Sequence, residues 1–145
     1  MSYFDSAYIA KFYLDEPESE AVRRLAESLG VVHCAALGKL EVAAAFHRKL
    51  REGAFDVAAF REVVAQFDDD SAQGLWTWLP VTDALIARAT AAFTRLPRAA
   101  FLRAADALHL TCAQEHGLSE IYTNDRHMTD AARHFRLRPK AVPIP

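Results

Sequence analysis

The sequence predicts an α/β fold: a central, mostly parallel sheet of four to five strands held between layers of helix, in one domain spanning residues 1–145. Three observations predict it. Short apolar runs of strand length alternate with longer runs of helical period along the whole chain, the signature of strand–helix–strand units. The chain has 145 residues, of which 52% are hydrophobic and 25% charged, the length and composition of one globular domain. No linker, internal repeat or low-complexity stretch divides it.

In chain order, Tyr3-Phe4 is a very short strand that runs into Asp5 and Ser6. Ser6 can cap the helix that follows over residues 7–14, and Pro17 stops that helix. From Glu18, apolar residues at Val22, Leu25, Ala26 and Leu29 keep helical spacing up to Gly30. Residues 31–34 read as a strand, and the proline-free, Ala- and Leu-rich residues 35–50 as a helix. A helix over 55–67 turns Val57, Phe60, Val64 and Phe67 inward, and residues 68–74, with three consecutive aspartates, read as a turn. The segment 55–73 is therefore expected to be an insertion of at most two short helices. Residues 76–81 read as a strand whose Pro80 suggests an edge or an end. Asp83 caps a helix through Leu96, and Pro97 marks its end. A helix over 99–116 closes at Gly117, and a strand over 121–123 leads into Asn124-Asp125-Arg126. A short helix over 128–135 and a terminal edge strand over 141–144 complete the reading.

Composition excludes several classes. A net charge of −2 with this apolar content excludes a disordered chain. Cys34 and Cys112 lie in apolar segments and read as small buried hydrophobes rather than a disulfide framework. No apolar run approaches the ~18 residues of a membrane span, and the N-terminus has no signal-peptide pattern, so a cytoplasmic protein is expected. The charge is unevenly spread: nine Arg and Lys stand against five acids from Arg88 to Lys140. That is an excess that can meet an anionic partner or simply be solvated.

Four acids stand out. In an open α/β sheet, ligands bind beyond the carboxyl ends of the strands, where Asp5 and Asp125 fall. Glu41 and Asp106 sit on helices among Ala, Val and Leu. A buried carboxylate is costly unless paired, hydrogen-bonded or bound to a metal. Each acid alone has an ordinary reading, as a cap, a turn, a solvated residue or a partner of Arg103. Together they form an oxygen-rich set suited to a hard divalent cation. His109, three residues after Asp106, can orient it or serve in helix packing. The six histidines show no metal-ligand spacing, and there is no Gly-x-Ser-x-Gly, Walker loop or Cys-x-x-Cys.

Four segments carry a resemblance: residues 3–17, Leu40-Glu-Val42, residues 102–110 with Asp106-Ala-Leu-His109, and Tyr122-Thr-Asn-Asp-Arg126. In order, spacing and total length the chain resembles the PIN-domain ribonucleases, and closely the VapC-like toxins of toxin–antitoxin pairs. The resemblance implies that Asp5, Glu41, Asp106 and Asp125 form an acidic site for Mg²⁺ or Mn²⁺, supported by Ser6 and Thr123. Asp5, Asp106 and Asp125 would ligate directly, and Glu41 would hold a water or a second ion. It implies RNA hydrolysis by water, leaving a 5′-phosphate and a 3′-hydroxyl, a VapB-like antitoxin as partner, and a homodimer. Arg103 and Arg126, beside the acids in sequence, are candidates for substrate phosphates or for pairing with Asp106 and Asp125. Tyr8, Phe12, Tyr13 and Leu14 are candidates for an antitoxin contact or for core. The chain departs from the family at Ala35, where a capping Ser is frequent, and at Ser2, where an aliphatic residue is usual.

Other classes fit less well. A receiver domain would pair acids after the first strand and carry a late Lys after a strand. A haloacid-dehalogenase-like phosphatase needs Asp-x-Asp, and position 7 is Ala. A non-toxin PIN nuclease of RNA processing, or a degenerate PIN-like binding module, remains as an alternative.

Overall fold

A computed structural model describes residues 1–143. The elements are β1 (Ser2–Phe4), α1 (Ser6–Tyr13), α2 (Ser19–Leu29), β2 (Val32–Ala35), α3 (Leu37–Arg51), α4 (Val57–Ala72), β3 (Trp76–Leu79), α5 (Asp83–Arg95), α6 (Ala104–Glu115), β4 (Glu120–Tyr122), α7 (Arg126–Ala131), a 3₁₀ turn (Ala132–Phe135) and β5 (Arg138–Lys140). The five strands form one sheet in the order β3-β2-β1-β4-β5, and every neighbouring pair is parallel. Parallel strands joined by right-handed crossovers put α1–α4 on one face and α5–α7 on the other, the predicted three-layer sandwich.

The short β1 works as the central strand because it is buried on both sides and its side chains alternate between layers. Tyr3 meets His109 of α6, while Phe4 meets Tyr8 of α1 and Tyr122 of β4. On the α1–α4 face, Phe12, Tyr13, Phe46, Phe67 and Trp76 interlock edge to face. Such pairs add about 0.5–1.5 kcal/mol each beyond their buried area. Gly38 allows α3 to lie against the sheet: a Cβ there would stand 2.5 Å from Cys34 Sγ and 3.1 Å from the Trp78 ring.

Several local expectations change. Asp5, not Ser6, caps α1, its Oδ1 accepting from Tyr8 N at 2.8 Å. Thr82, not Asp83, caps α5. The triple-aspartate stretch is not a turn, and 55–73 is not two short helices: α4 runs unbroken to Ala72, with Asp70 accepting from Tyr13 Oη at 2.7 Å and from Gln66 Nε2 at 2.8 Å. The helix expected from residue 99 starts at Ala104, leaving an irregular segment after Pro97. The last helix starts two residues early, at Arg126, because Asp125 caps it. The terminal strand lies at Arg138–Lys140 rather than 141–144, and Ile144 is outside the described residues. Pro139 fits there because β5 is an edge. β3 is the other edge and ends just before Pro80, which satisfies both readings of that proline. Cys34 and Cys112 are free and buried.

Tyr8, Phe12, Tyr13 and Leu14 belong to the core and its margin rather than to a docking surface. Tyr8 is fully buried, donating to Asn124 Oδ1 and accepting from Val142 N, both at 2.8 Å. Tyr13 Oη accepts from Trp76 Nε1 at 2.7 Å. No described helix is long and apolar enough to cross a membrane.

Candidate active site

The strand order reverses beside β1: successive crossovers lead outward to β2 and β3, and then the chain returns to place β4 on the opposite side. A doubly wound sheet opens a crevice at such a point, outside the strands' carboxyl ends. Asp5 leaves β1 there and Asp125 follows β4. A backbone bond ties the two strand ends together, Asp5 N donating to Tyr122 O at 3.1 Å, and Thr123 N in turn ties the end of β4 to β5 by donating to Lys140 O at 3.0 Å.

Both aspartates are helix caps. Asp5 caps α1, and Asp125 Oδ1 accepts from Met128 N at 2.9 Å to cap α7. Thr123, 1% exposed, joins them: its hydroxyl donates to Asp5 Oδ2 and accepts from Asp125 N at 3.0 Å. Capping uses one oxygen of Asp125; the other accepts no hydrogen bond among the described residues.

Glu41 projects from α3 and Asp106 from the first turn of α6. Glu41 Oε1 accepts from His109 Nε2, and His109 Nδ1 meets the Tyr3 hydroxyl. That hydroxyl also accepts from Ala35 N at 2.8 Å, and because a carboxylate only accepts, the imidazole hydrogen facing Glu41 sits on Nε2. His109 therefore orients Glu41, not Asp106 as the helix spacing suggested. Asp106 Oδ2 is buried and, among the described residues, has no hydrogen-bond partner.

Asp5, Ser6, Glu41, Arg103, Asp106 and Asp125 line one cleft of about 770 Å³. Thr123 lies behind Asp5, Ser6 makes no cap, and α3, with Ala36 at its N-cap position, begins without a side-chain cap, one residue after Ala35, which ends β2. Arg126 departs from the expectation. It is the first residue of α7 and lines a separate hollow with Phe101 and His127, because the cap that turns Asp125 inward starts a helix whose next residue faces outward. Neither Arg103 nor Arg126 is paired with Asp106 or Asp125 within 4 Å. Among the described residues, no three His, Cys, Asp or Glu side chains stand close enough together to hold a metal ion in their present positions.

The electrostatics match a crowd of carboxylates. Burial, with a smaller push from the Asp125 charge, raises the Asp5 carboxyl to about 6, against the bonds from Thr123 and Tyr8 and the attraction of His109. Asp106 is also raised, by burial first and by Asp125 next, with His109 and Arg103 opposing. Sequence reasoning missed Tyr3, and missed Arg48 and Arg51 of α3, which line the same cleft. The spacing Glu41, Ala44, Ala45, Arg48 is the only sequence signal that placed the arginines on the glutamate's face.

A PIN domain family model matches residues 2–134. No curated protein sequence matches the chain. Among solved structures, the chain is similar to FitAB bound to an IR36 DNA fragment (17% identity, TM-score 0.68, 97% of this chain and 94% of that one). It is similar to FitAcB from Neisseria gonorrhoeae (18%, 0.68, 96% of each). It is also similar to Mycobacterium tuberculosis VapC20, a sarcin-ricin loop cleaving toxin (15%, 0.67, 90% of this chain and 95% of that one).

Proposed function

The chain belongs to the PIN-domain family, and from that premise we propose that it is a Mg²⁺- or Mn²⁺-dependent endoribonuclease cutting single-stranded or loop RNA, the toxin of a toxin–antitoxin pair. The observation that carries the reading is the convergence of Asp5, Glu41, Asp106 and Asp125, from four distant segments, on one cleft, with Asp106 Oδ2 left without a partner.

The chemistry of the donor set suits the ion, which would draw the side chains closer together than they now stand. Carboxylate oxygens are the ligands hard cations prefer, two of the four acids are held above their ordinary range, and a buried acceptor stands free. Asp5, Asp106 and Asp125 would hold the ion, with Glu41 fixing a water or a second ion. When bound, the cation supplies charge neutralisation at the phosphate and a water acidic enough to attack it. The chain's own residues do the rest. The caps of α1 and α7 fix where Asp5 and Asp125 point, Thr123 holds them in register, and His109 holds Glu41 toward the cleft. Arg103, exposed at the start of α6, is within reach of a substrate phosphate.

A VapB-like antitoxin as partner is supported by the likeness to the FitAB and FitAcB complexes. A homodimer is supported by an apolar strip along α5, where Ile86 and Phe93 are 47% and 45% exposed. The test is cleavage of structured RNA with Mg²⁺, with products mapped for 5′-phosphates, and growth arrest on expression that a neighbouring small gene relieves. Activity that persists in excess EDTA, or with all four acids replaced by amides, contradicts the proposal.

A further inference from the structure

The cleft extends well beyond the acids. From Glu41, α3 places Ala44, Ala45, Arg48 and Arg51 along its wall, and Ala7 and Ala10 of α1 face them. Offsets of three, four, seven and ten residues keep these side chains on one helix face. Small residues on both walls leave an open trough. Arg51 stands about 15 Å from Glu41 along the axis, at ~1.5 Å per residue.

The cations of this trough divide into two kinds. Lys11 is held by Glu16 at 2.9 Å and Glu18 at 3.2 Å, and Lys49, just outside, by Glu16 at 3.2 Å. These lysines bracket the helices and are already neutralised. Arg51 and Arg103 make no ion pair among the described residues, and Arg48 reaches only Glu52, at 3.9 Å, with its side chain 63% exposed. Guanidinium groups without an ion pair, or in Arg48's case with only a long, exposed one, thus flank the carboxylates, Arg103 near them and Arg48 and Arg51 two to three turns away.

Building on the ribonuclease reading, we infer that this trough is the track of a single RNA strand, with Arg48 and Arg51 binding its backbone phosphates away from the scissile bond. Separated arginines suit an extended polyanion better than one compact anion, and the alanine-lined floor leaves room for sugars and bases between them. Two such phosphate contacts would contribute to affinity without choosing sequence.

The probe is a fluorescein-labelled, mixed-sequence 12-nucleotide single-stranded RNA. Its binding is followed by anisotropy across a salt series in the Asp106→Asn background, so that the strand stays intact. Each lost contact to a single strand lowers the slope of log K against log salt by about 0.7. The double variant Arg48→Ala/Arg51→Ala is expected to lower the slope by about 1.4 and to weaken binding at least tenfold at low salt. Lys at both positions is expected to keep the slope, and Arg61→Ala, on the exposed side of α4, to change nothing. An unchanged slope in the double variant overturns the inference. The same result with lost binding of a polyglutamate peptide overturns it in favour of an acidic protein segment. The expected slope change in a protein that cuts no RNA with Mg²⁺ supports the track and breaks the ribonuclease reading instead.

Discussion

The two ends of the cleft are built by opposite rules. At one end Asp5, Asp125 and Glu41 are each tied into the fold by a cap or a buried bond, from Tyr8 N, Met128 N and His109 respectively. At the other end Arg48 and Arg51 stand exposed on the last turns of α3 with little to hold them. On the proposed reading the difference reflects what each end would do: oxygens that are to share one small ion must converge, whereas groups that are to meet a flexible polyanion need only reach it. The first arrangement works against stability, because Asp5 is buried beside the Asp125 charge. The second costs almost nothing.

Four results would break or sharpen that contrast. The largest effect is expected at the acids. Asp5→Asn, Glu41→Gln, Asp106→Asn and Asp125→Asn should each lower RNA cleavage by roughly 10²–10³-fold, the scale of losing one preorganised electrostatic contact. Circular dichroism should stay native, since Asn also caps helices. An acid variant that cleaves at the wild-type rate would remove that residue from the site.

Next is pH. The Asp5 carboxyl titrates at about 6 when folded and near 3.9 when unfolded. Between those values the native state holds more protons than the unfolded one. Stability is therefore fully present below about pH 4 and is lost as pH rises through about 6, by up to about 3 kcal/mol in metal-free protein. Urea unfolding in EDTA should show this fall, Asp5→Asn should flatten it, and Mg²⁺ should oppose it. A metal-free protein whose stability rises over that interval would contradict the burial of a repelled carboxylate.

How much was legible in sequence follows from the same contrast. Asp5 and Asp125 could be placed because strand ends in an alternating α/β chain point to one crevice. Glu41 and Asp106 were visible as acids in apolar helices, and the Asp-Ala-Leu-His segment identified the family. The Tyr3–His109–Glu41 chain was not visible, because it joins residues far apart whose pairing only the packing of α6 on β1 decides. Arg126 was misplaced and Arg48 missed for one reason: adjacency to an acid in sequence says nothing of direction, whereas helical spacing from Glu41 does. Ser6 and Asp5 are both good caps, and the geometry leaving β1 chose Asp5. The three aspartates of α4 read as a turn from composition, and the fold kept them helical by giving Asp70 two partners.

A smaller effect is expected at His109. His109→Gln should lower metal affinity about 10- to 100-fold, the usual cost of losing a residue that orients a ligand, and Tyr3→Phe less. Affinity unchanged in both would mean that Glu41 needs no support. The smallest effect belongs to the basic end: Arg48→Ala and Arg51→Ala should shift folding stability by no more than about 0.5 kcal/mol. A large destabilisation would mean that the arginines brace the helix rather than wait for a ligand.

The most direct test is calorimetric titration of metal-free protein with Mn²⁺ at neutral pH, in the wild type and in the Asp5→Asn and Asp106→Asn variants. Saturable binding to the wild type that is lost or much weakened in both variants is the predicted result. Equal binding by all three proteins, or none by the wild type, would contradict the claim that these carboxylates gather around one cation.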